Sequence, residues 1–581
     1  MKDLLVYLKK YKLQSVLAPL FKLLEASFEL LIPIIVASII DKINLVNAGG
    51  ATQAEGSRYV IYACLILVAL GVIGLISAVC AQFFAAKAAV GFSKELRSDM
   101  FKKVQSLSYY EMDNLGTSAM ITRMTSDVNQ VQTGVNMVLR LFMRSPFIVF
   151  GAMVMAFVIS VTAGWVFAVT IAALFVIVFG IMFVTIPMYR KSQGNLDKVT
   201  AATRETLVGS RVVRAFCKED EEIEEFSKRN QELSRSQKFV GRISALMNPL
   251  TYAVINAGII VLIYVGALQV DGGVLTQGQV IALYNYMSQI LIELIKLANL
   301  IITVTKCFAC AGRVNEILKM QPSLKSGSPA QPVSGAPFVK FNNVSMRYSG
   351  GGSYALSGVS FEVNRGETVG IIGGTGSGKS TLVNMIPHFY DATEGEVTVD
   401  GVNVNSVGDE KLRESCGIVP QRAVLFKGTI RENIKWGNEN ATDGEIMKAV
   451  EAACATDVIN SKPDGLDEGV EQGGKNFSGG QRQRLTIARA LVKKPEILIL
   501  DDSASALDYA TDAKLRKNLR SLGYNPTVFV VSQRTSSVRF ADKILVLDGG
   551  NLVGCGTHDE LLNSCEVYRE IHFSQYGKEG A

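Results

Sequence analysis

Residues 145–189 contain no Asp, Glu, Lys or Arg, and no other feature limits the fold of this chain so strongly. A bilayer core takes about 20 apolar residues per helical crossing, well beyond what a soluble core requires of one segment. The run is too long for one crossing. Thr162, Ala163 and Gly164 near its middle offer a tight turn, so two helices are expected, at 120–161 and 164–189. Comparable apolar stretches predict four more, at 13–40, 59–86, 243–270 and 275–305. Composition agrees: 48% of the residues are apolar and 19% are charged, against about 25% charged in an ordinary soluble chain. A disordered polymer and a plain soluble enzyme both fit this composition poorly. Lys and Arg exceed Asp and Glu by 59 to 53, a net charge of +6, without the dense basic face that a nucleic-acid partner requires.

Cytoplasmic segments keep Lys and Arg, and translocated loops do not. Residues 87–144 carry Lys94, Arg97, Lys102, Lys103, Arg123 and Arg140, and residues 190–242 are similarly basic. The turns at 41–58, 162–164 and 271–276 are short and poor in cations. Both termini are therefore expected on the cytoplasmic side of a multi-pass membrane domain spanning residues 1–320. The two basic connections keep a helical apolar rhythm (Leu96, Met100, Val104, Leu107; Leu196, Val199, Thr203, Thr206). Helices should thus continue out of the bilayer, each leg of ~25 residues reaching roughly 35–40 Å. The basic, amphipathic residues 1–11 lack a small-residue cleavage site and predict a surface helix.

Lys22, Glu25 and Glu29 interrupt the first membrane segment, and Glu293 and Lys296 the sixth. The spacing of three lets Lys22 neutralise Glu25 and Lys296 neutralise Glu293 on one helix face. The alternative is that these charges line a substrate path. The nine cysteines lack the paired spacings of a disulfide framework, and Cys307 with Cys310 has no second pair nearby to complete a metal site.

Residues 321–337 shift to Pro, Ser and Gly, the signature of a domain junction. Beyond it, residues 338–581 alternate short β-rich runs with helices. A buried-type strand at 368–372 leads into Gly373, Gly374, Thr375, Gly376, Ser377, Gly378, Lys379, Ser380 and Thr381, the GxxxxGK[ST] pattern. Glycines let backbone N–H groups converge on phosphates, Lys379 can reach the β/γ oxygens, and Ser380 can ligand Mg²⁺. A second apolar strand at 497–500 ends at Asp501, a carboxylate suited to the Mg²⁺ shell. The pattern predicts an ATP and Mg²⁺ site.

Between these motifs stand Phe477, Ser478, Gly479, Gly480, Gln481, Arg482, Gln483 and Arg484. With them the chain resembles an ABC transporter over nearly its whole length, and in particular the half-transporters of the exporter (type IV) class. The resemblance implies an α-helical six-helix transmembrane domain with long cytoplasmic helical extensions, plus an α/β P-loop NTPase (ABC) nucleotide-binding domain. It implies a second half-transporter as partner, ATP being clamped between the phosphate loop of one half and the Phe477–Gln481 signature of the other. By the same resemblance Tyr348 would stack on adenine, and Gln421 would sense the γ-phosphate and join Ser380 and Asp501 around Mg²⁺. Ser505, Ala506, Leu507 and Asp508 would form the D-loop, and 109–116 and 211–218 the coupling helices.

Two positions depart from the family pattern. Asp502 stands where Glu usually orients the attacking water, a carboxylate shorter by roughly 1.5 Å, which should slow hydrolysis. Gln533 replaces the switch histidine and cannot carry its charge. Such a pair resembles the degenerate-site subunit of bacterial heterodimeric multidrug exporters, which holds ATP weakly turned over and lends an intact signature to its partner. Phe477 replaces the usual Leu but keeps the bulk. A homodimer hydrolysing slowly through Asp502 and a mainly regulatory ATP-binding subunit remain alternatives. The resemblance implies ATP-driven export from a bacterial plasma membrane. Phe142, Met143, Phe147, Phe150, Met153, Met155 and Phe157 suit an amphipathic drug-like or lipid substrate, or else face lipid and neighbouring helices.

Overall fold

The computed structural model describes residues 3–324, 327, 333, 335–348 and 352–576. They divide into two units, Met1–Gln105 with Ser118–Met320, and Ser106–Thr117 with Gln321–Ala581. Of the junction expected at 321–337, residues 325–326, 328–332 and 334 lie outside the described residues, as do residues 1–2 of the expected N-terminal helix.

The helical unit opens with a 3₁₀ helix, Asp3–Tyr11, that buries Leu4. Then follow α1 (Lys12–Asn47) and α2 (Gln53–Gln105) and, beyond the short α3 (Tyr109–Leu115), α4 (Thr117–Thr122), a π-helical turn at Arg123–Asp127 and α5 (Val128–Leu141). The remainder is α6 (Arg144–Ile159), α7 (Val161–Val208), α8 (Ser210–Ala215), α9 (Glu219–Ala245), α10 (Met247–Asp271) and α11 (Gln277–Lys319). At about 1.5 Å per residue the 53-residue α2 is about 80 Å long, more than twice a bilayer core. Its expected continuation past the apolar segment is thus a single unbroken helix.

Five stretches are long and apolar enough to cross a membrane: Asp3–Asn47, Gln53–Gln105, Thr117–Ile159, Val161–Val208 and Glu219–Asp271. The crossing expected at 275–305 falls on α11, which is not among them. Glu293 and Lys296 interrupt its apolar character, and it buries Ala282, Leu283, Tyr286, Met287 and Ile290 against neighbouring helices. Close approach is built in at Gly278, where a Cβ would strike the Ala37 carbonyl and whose N–H donates to Asp41 Oδ1 at 2.9 Å.

The chain turns inside the charge-free run at Ser160, two residues before the expected Thr162–Gly164 break. Ser160 is extended (φ −155°, ψ 128°), and its hydroxyl accepts from Ala163 N as the cap of α7. Thr162, Ala163 and Gly164 form the first turn of that helix, and Gly164 packs against the Phe157 ring.

Both expected charge pairs form, Lys22 with Glu25 at 2.5 Å and Lys296 with Glu293 at 2.7 Å. Arg144 joins them. Its guanidinium donates to Glu293 Oε1 at 2.6 Å and Glu29 Oε2 at 2.7 Å, and lies 3.9 Å from Glu25. Ser145 Oγ donates to the second Glu293 oxygen at 2.8 Å. Three cations and three carboxylates from α1, α6 and α11 thus neutralise one another.

The second unit is α/β. Its antiparallel sheet has the order β2-β1-β4-β5, with β1 Val339–Met346, β2 Leu356–Val363, β4 Glu394–Val399 and β5 Val402–Asn403. Its main sheet has the order β12-β11-β3-β10-β9-β6. There β3 (Thr368–Gly373), β6 (Cys416–Val419), β9 (Ile497–Asp501), β10 (Thr527–Val531) and β11 (Lys543–Asp548) run parallel, with β12 (Asn551–Gly556) antiparallel at the edge. The parallel strands are apolar along their middles, with polar residues confined to their ends, because both faces are covered. Phe341, Phe361, Ile371, Leu382, Ile499 and Phe529 fill the space toward the antiparallel sheet. On the opposite side a helical core gathers Ile434, Ile446, Leu485 and Ile487.

The helices of this unit are α12 (Lys379–Met385), α13 (Asp409–Ser415), α14 (Ile430–Lys435), α15 (Asp443–Ala452), α16 (Thr456–Asn460), α17 (Gly479–Leu491), α18 (Tyr509–Arg520), α19 (Thr535–Val538), α20 (His558–Ser564) and α21 (Glu566–Tyr576). Two short strands, β7 (Gly428–Thr429) and β8 (Gly469–Val470), pair separately. The segment around α3 packs within this unit: the Tyr109 and Phe389 rings lie 4.5 Å apart, and Tyr390 OH donates to Asp113 Oδ2 at 2.6 Å. Ser108 and Glu111 cap α3, and Gly116 ends it at φ +71°. The other expected coupling segment, 211–218, lies on α8 and the turn before α9, with Val212 and Phe216 exposed.

Candidate nucleotide site

The parallel strands β3, β9 and β10 end side by side, and this register gathers the site. Past β3 the chain turns through Gly376 (φ +79°) and Gly378 (φ +95°) into α12. Glycine is required at 378, because a Cβ there would lie 2.5 Å from the Ala355 carbonyl. The loop therefore holds its backbone where an L side chain could not follow.

A cavity of about 320 Å³ lies over this loop. It is lined by Tyr348, Thr375, Gly376, Ser377, Gly378, Lys379, Ser380, Thr381, Gln421, Asp501, Asp502 and Gln533, together with Ala355 and Val531. Lys379 Nζ donates to the carbonyls of Gly373 at 2.9 Å and Gly374 at 2.5 Å, and lies 3.3 Å from Ser377 Oγ. Burial pushes this ammonium below its ordinary pKa, against the opposing pull of Asp502 and Asp501. Ser380 Oγ donates to Asp501 Oδ1 at 2.9 Å. Burial raises the Asp501 pKa, with Asp502 adding to it and Ser380 and Lys379 opposing.

Asp502 sits just past β9 with φ +45°, its N–H donating to the Val531 carbonyl at 3.0 Å. Gln421 Nε2 lies 3.4 Å from Asp502 Oδ2. Tyr348 OH and Thr381 Oγ1 are 2.9 Å apart, and the Tyr348 ring meets Tyr390 edge-on at 5.3 Å. A hydroxyl, two carboxylates and an amide supply the hard oxygen donors that Mg²⁺ prefers. Among the described residues no group of three His, Cys, Asp or Glu could hold a metal. A buried ammonium satisfied only by carbonyls and a hydroxyl, beside a glycine cradle, is suited to an anion. The residues fit ATP with Mg²⁺.

The expected signature stands apart from this cavity, at the start of α17. Ser478 Oγ accepts from Gln481 N and the Gln481 side chain accepts from Ser478 N, a reciprocal cap. Phe477 is buried in the helical core beneath the Lys462 ammonium, so its bulk serves packing. A Cβ added at Gly479 meets nothing within 4 Å. Gly480 lies against the Ala506 carbonyl of the expected D-loop. In that loop Ser505 Oγ donates to the Asp502 carbonyl at 2.8 Å, Leu507 is buried, and Asp508 caps α18 by accepting from Thr511 N at 2.7 Å.

Sequence reasoning did not find the cage around His388. This fully buried imidazole is bonded to Asp391 at 2.9 Å and Asp409 at 2.8 Å. It precedes Phe389 and Tyr390, on which α3 rests. A signal existed, since the chain has three histidines and this one stands three residues past the end of α12 and three before an Asp.

The ABC transporter transmembrane region family matches residues 15–294, and the ABC transporter family matches residues 356–505. The chain is 34% identical to YfiB of Bacillus subtilis, an uncharacterized ABC transporter ATP-binding protein, over the full length of both. It is 34% identical to the ATP-dependent lipid A-core flippase of Desulfotalea psychrophila, over 83% of this chain and 84% of that one. A bacterial Atm1-family ABC exporter solved with ATP bound superposes with a TM-score of 0.80 at 25% identity, covering 98% of this chain and 99% of that one.

Proposed function

The chain belongs to the ABC transporters that fuse an exporter-type helical membrane domain to an ABC ATPase domain, and from this membership we propose that it is one half of a heterodimeric exporter. The ATPase domain binds ATP, and its hydrolysis is coupled to transport. The finer reading assigns a residue to each task. Tyr348 stacks on adenine, and the N–H groups of residues 373–381 cradle the phosphates. Lys379 neutralises their charge, while Ser380, Gln421 and Asp501 hold Mg²⁺. ATP supplies the transferable phosphoryl group when bound.

One observation carries the asymmetric reading: Asp502 and Gln533 share the cavity wall, while a fully formed signature helix lies outside it. The shorter carboxylate and the neutral amide retain ATP but activate water poorly. Ser478, Gly479, Gly480 and Gln481 then serve a partner whose own site carries Glu and His. A homodimer working slowly through Asp502 is the second reading, favoured by the carboxylate lining the cavity beside Gln421.

The proposed substrate is an amphipathic drug-like compound or lipid, in keeping with the lipid A-core flippase among its relatives and with exposed Phe142, Met143, Phe147 and Phe150. Six crossings, both termini cytoplasmic, in a bacterial plasma membrane complete the proposal. Native mass spectrometry of the tagged complex, extracted gently from its own membrane, tests it. A heavier or lighter second chain with Glu and His at the corresponding positions supports the asymmetric pair. Twice 62.9 kDa before lipid contradicts it and makes Asp502 the working carboxylate.

A further inference from the structure

The loop that carries Gln533 into the nucleotide cavity is held from behind by the last described helix. At its start, Ser532 N donates to the Ile371 carbonyl at 3.0 Å, fixing the loop to β3. Its far side is held by Gln575 of α21. Gln575 Oε1 accepts from Thr535 N at 2.9 Å and Thr535 Oγ1 at 3.0 Å, while Nε2 donates to the Gln533 carbonyl at 2.7 Å. The amide orientation is unambiguous, because a backbone N–H can only donate and a carbonyl can only accept.

The helix that presents Gln575 is itself anchored. Tyr568 is fully buried and its hydroxyl lies 2.7 Å from His558 Nδ1. His572, one turn before Gln575, is also buried, with its ring 5.3 Å from that of His558. Gln575 therefore brackets residues 533–535 with three hydrogen bonds from a fixed frame. Gln533, on this bracketed backbone, lines the cavity alongside Lys379 and Asp502.

We propose that Gln575 is a positioning residue, which through the Gln533 carbonyl sets how long this chain's site retains its nucleotide. The inference rests on reading the cavity as the ATP site. A side chain displaced by even about 1 Å loses much of its interaction with a bound group, and the loop's local ties, Arg534 N to Ser532 Oγ at 3.0 Å and Ser537 N to the Arg534 carbonyl at 3.1 Å, do not reach the Gln533 carbonyl.

The test is photolabelling of this chain within the full complex by 8-azido-ATP, chased with unlabelled ATP to give a retention half-time. Gln575→Ala removes all three bonds. Gln575→Glu keeps acceptors for Thr535 but turns an oxygen against the Gln533 carbonyl, so it separates loop positioning from mere anchoring of α19. Both variants should shorten retention about fivefold, the effect of one lost hydrogen bond. Gln533→Ala should shorten it similarly, and Gln575→Ala added to it should change nothing more. Wild-type retention in Gln575→Glu, or additive losses in the double variant, would overturn the inference alone. A wild-type chain that takes no label would overturn the nucleotide reading along with it.

Discussion

Arg144 in the helical unit and Lys379 in the nucleotide unit are both buried cations, exposed by 7% and 9%, and they are satisfied in opposite ways. Arg144 meets the carboxylates of Glu25, Glu29 and Glu293, whose remaining demands are met by Lys22, Lys296 and Ser145. The cluster is electrically closed. Lys379 meets two carbonyls and a hydroxyl, and burial depresses its pKa. Asp502 and Asp501 attract it from a distance, but its hydrogen bonds go to dipoles, so an anion can still gain by arriving. Saturation by opposite charge marks a structural clasp, and solvation by dipoles marks a binding site. His388 shows that the distinction does not follow the region: it lies in the nucleotide unit, yet Asp391 and Asp409 enclose it as carboxylates enclose Arg144.

Removing Arg144 is the harshest way to break this comparison. Arg144→Ala leaves three carboxylates to two lysines: Glu293 keeps Lys296 and Ser145 but loses its guanidinium, and Glu29 loses its bond to Arg144; breaking a buried pair in this way costs about 3–5 kcal/mol. The expected result is loss of most monodisperse protein in detergent size exclusion. Survival at wild-type yield would mean the cluster is not closed. Lys379→Ala should act with the opposite balance: its dipolar partners lose little, so the melting temperature stays level or rises. ATP affinity at this chain's site should nevertheless fall ~10–100-fold, the weight of charge-assisted bonds to phosphate. Nucleotide titration and thermal unfolding of one preparation check both halves.

The smallest effect sharpens the comparison through His388. Burial opposes its protonation, but the bonds to Asp391 and Asp409 outweigh it, so its pKa lies above the ordinary 6.5. The charged form is favoured by folding. Its contribution is therefore full below about pH 6.5 and is lost as pH rises through the folded-state value. His388→Gln should lower the melting temperature of the nucleotide unit by roughly 2–4 °C at pH 6. The difference from wild type should shrink toward pH 9. A constant difference across that range would show that packing, rather than charge, holds this histidine.

How much of this was legible in the sequence depended on whether the physics was local. The glycine-rich loop could be read because its pattern is contiguous in the chain, and the structure places each of Thr375 to Thr381 on one cavity wall. The Ser160 break carries a local signal: a serine capping the N–H three residues on outranks a glycine that a helix interior can absorb. Arg144 read as the end of a basic cytoplasmic segment, because its partners Glu29 and Glu293 lie 115 and 149 residues away. The Gln575 brace spans 42 residues to Gln533 and depends on how α21 folds back, which no local pattern encodes.

The central claim, that the site on this chain retains ATP while its signature works for a partner, is tested most directly by ATPase assays of two variant complexes. Gly479→Asp meets open space in its own chain and leaves the fold intact. It should abolish transport-coupled hydrolysis, because it places an anion where the signature faces the partner's phosphates. Lys379→Ala should leave a measurable fraction, since this chain's site contributes little turnover. Equal losses in the two complexes would contradict the account.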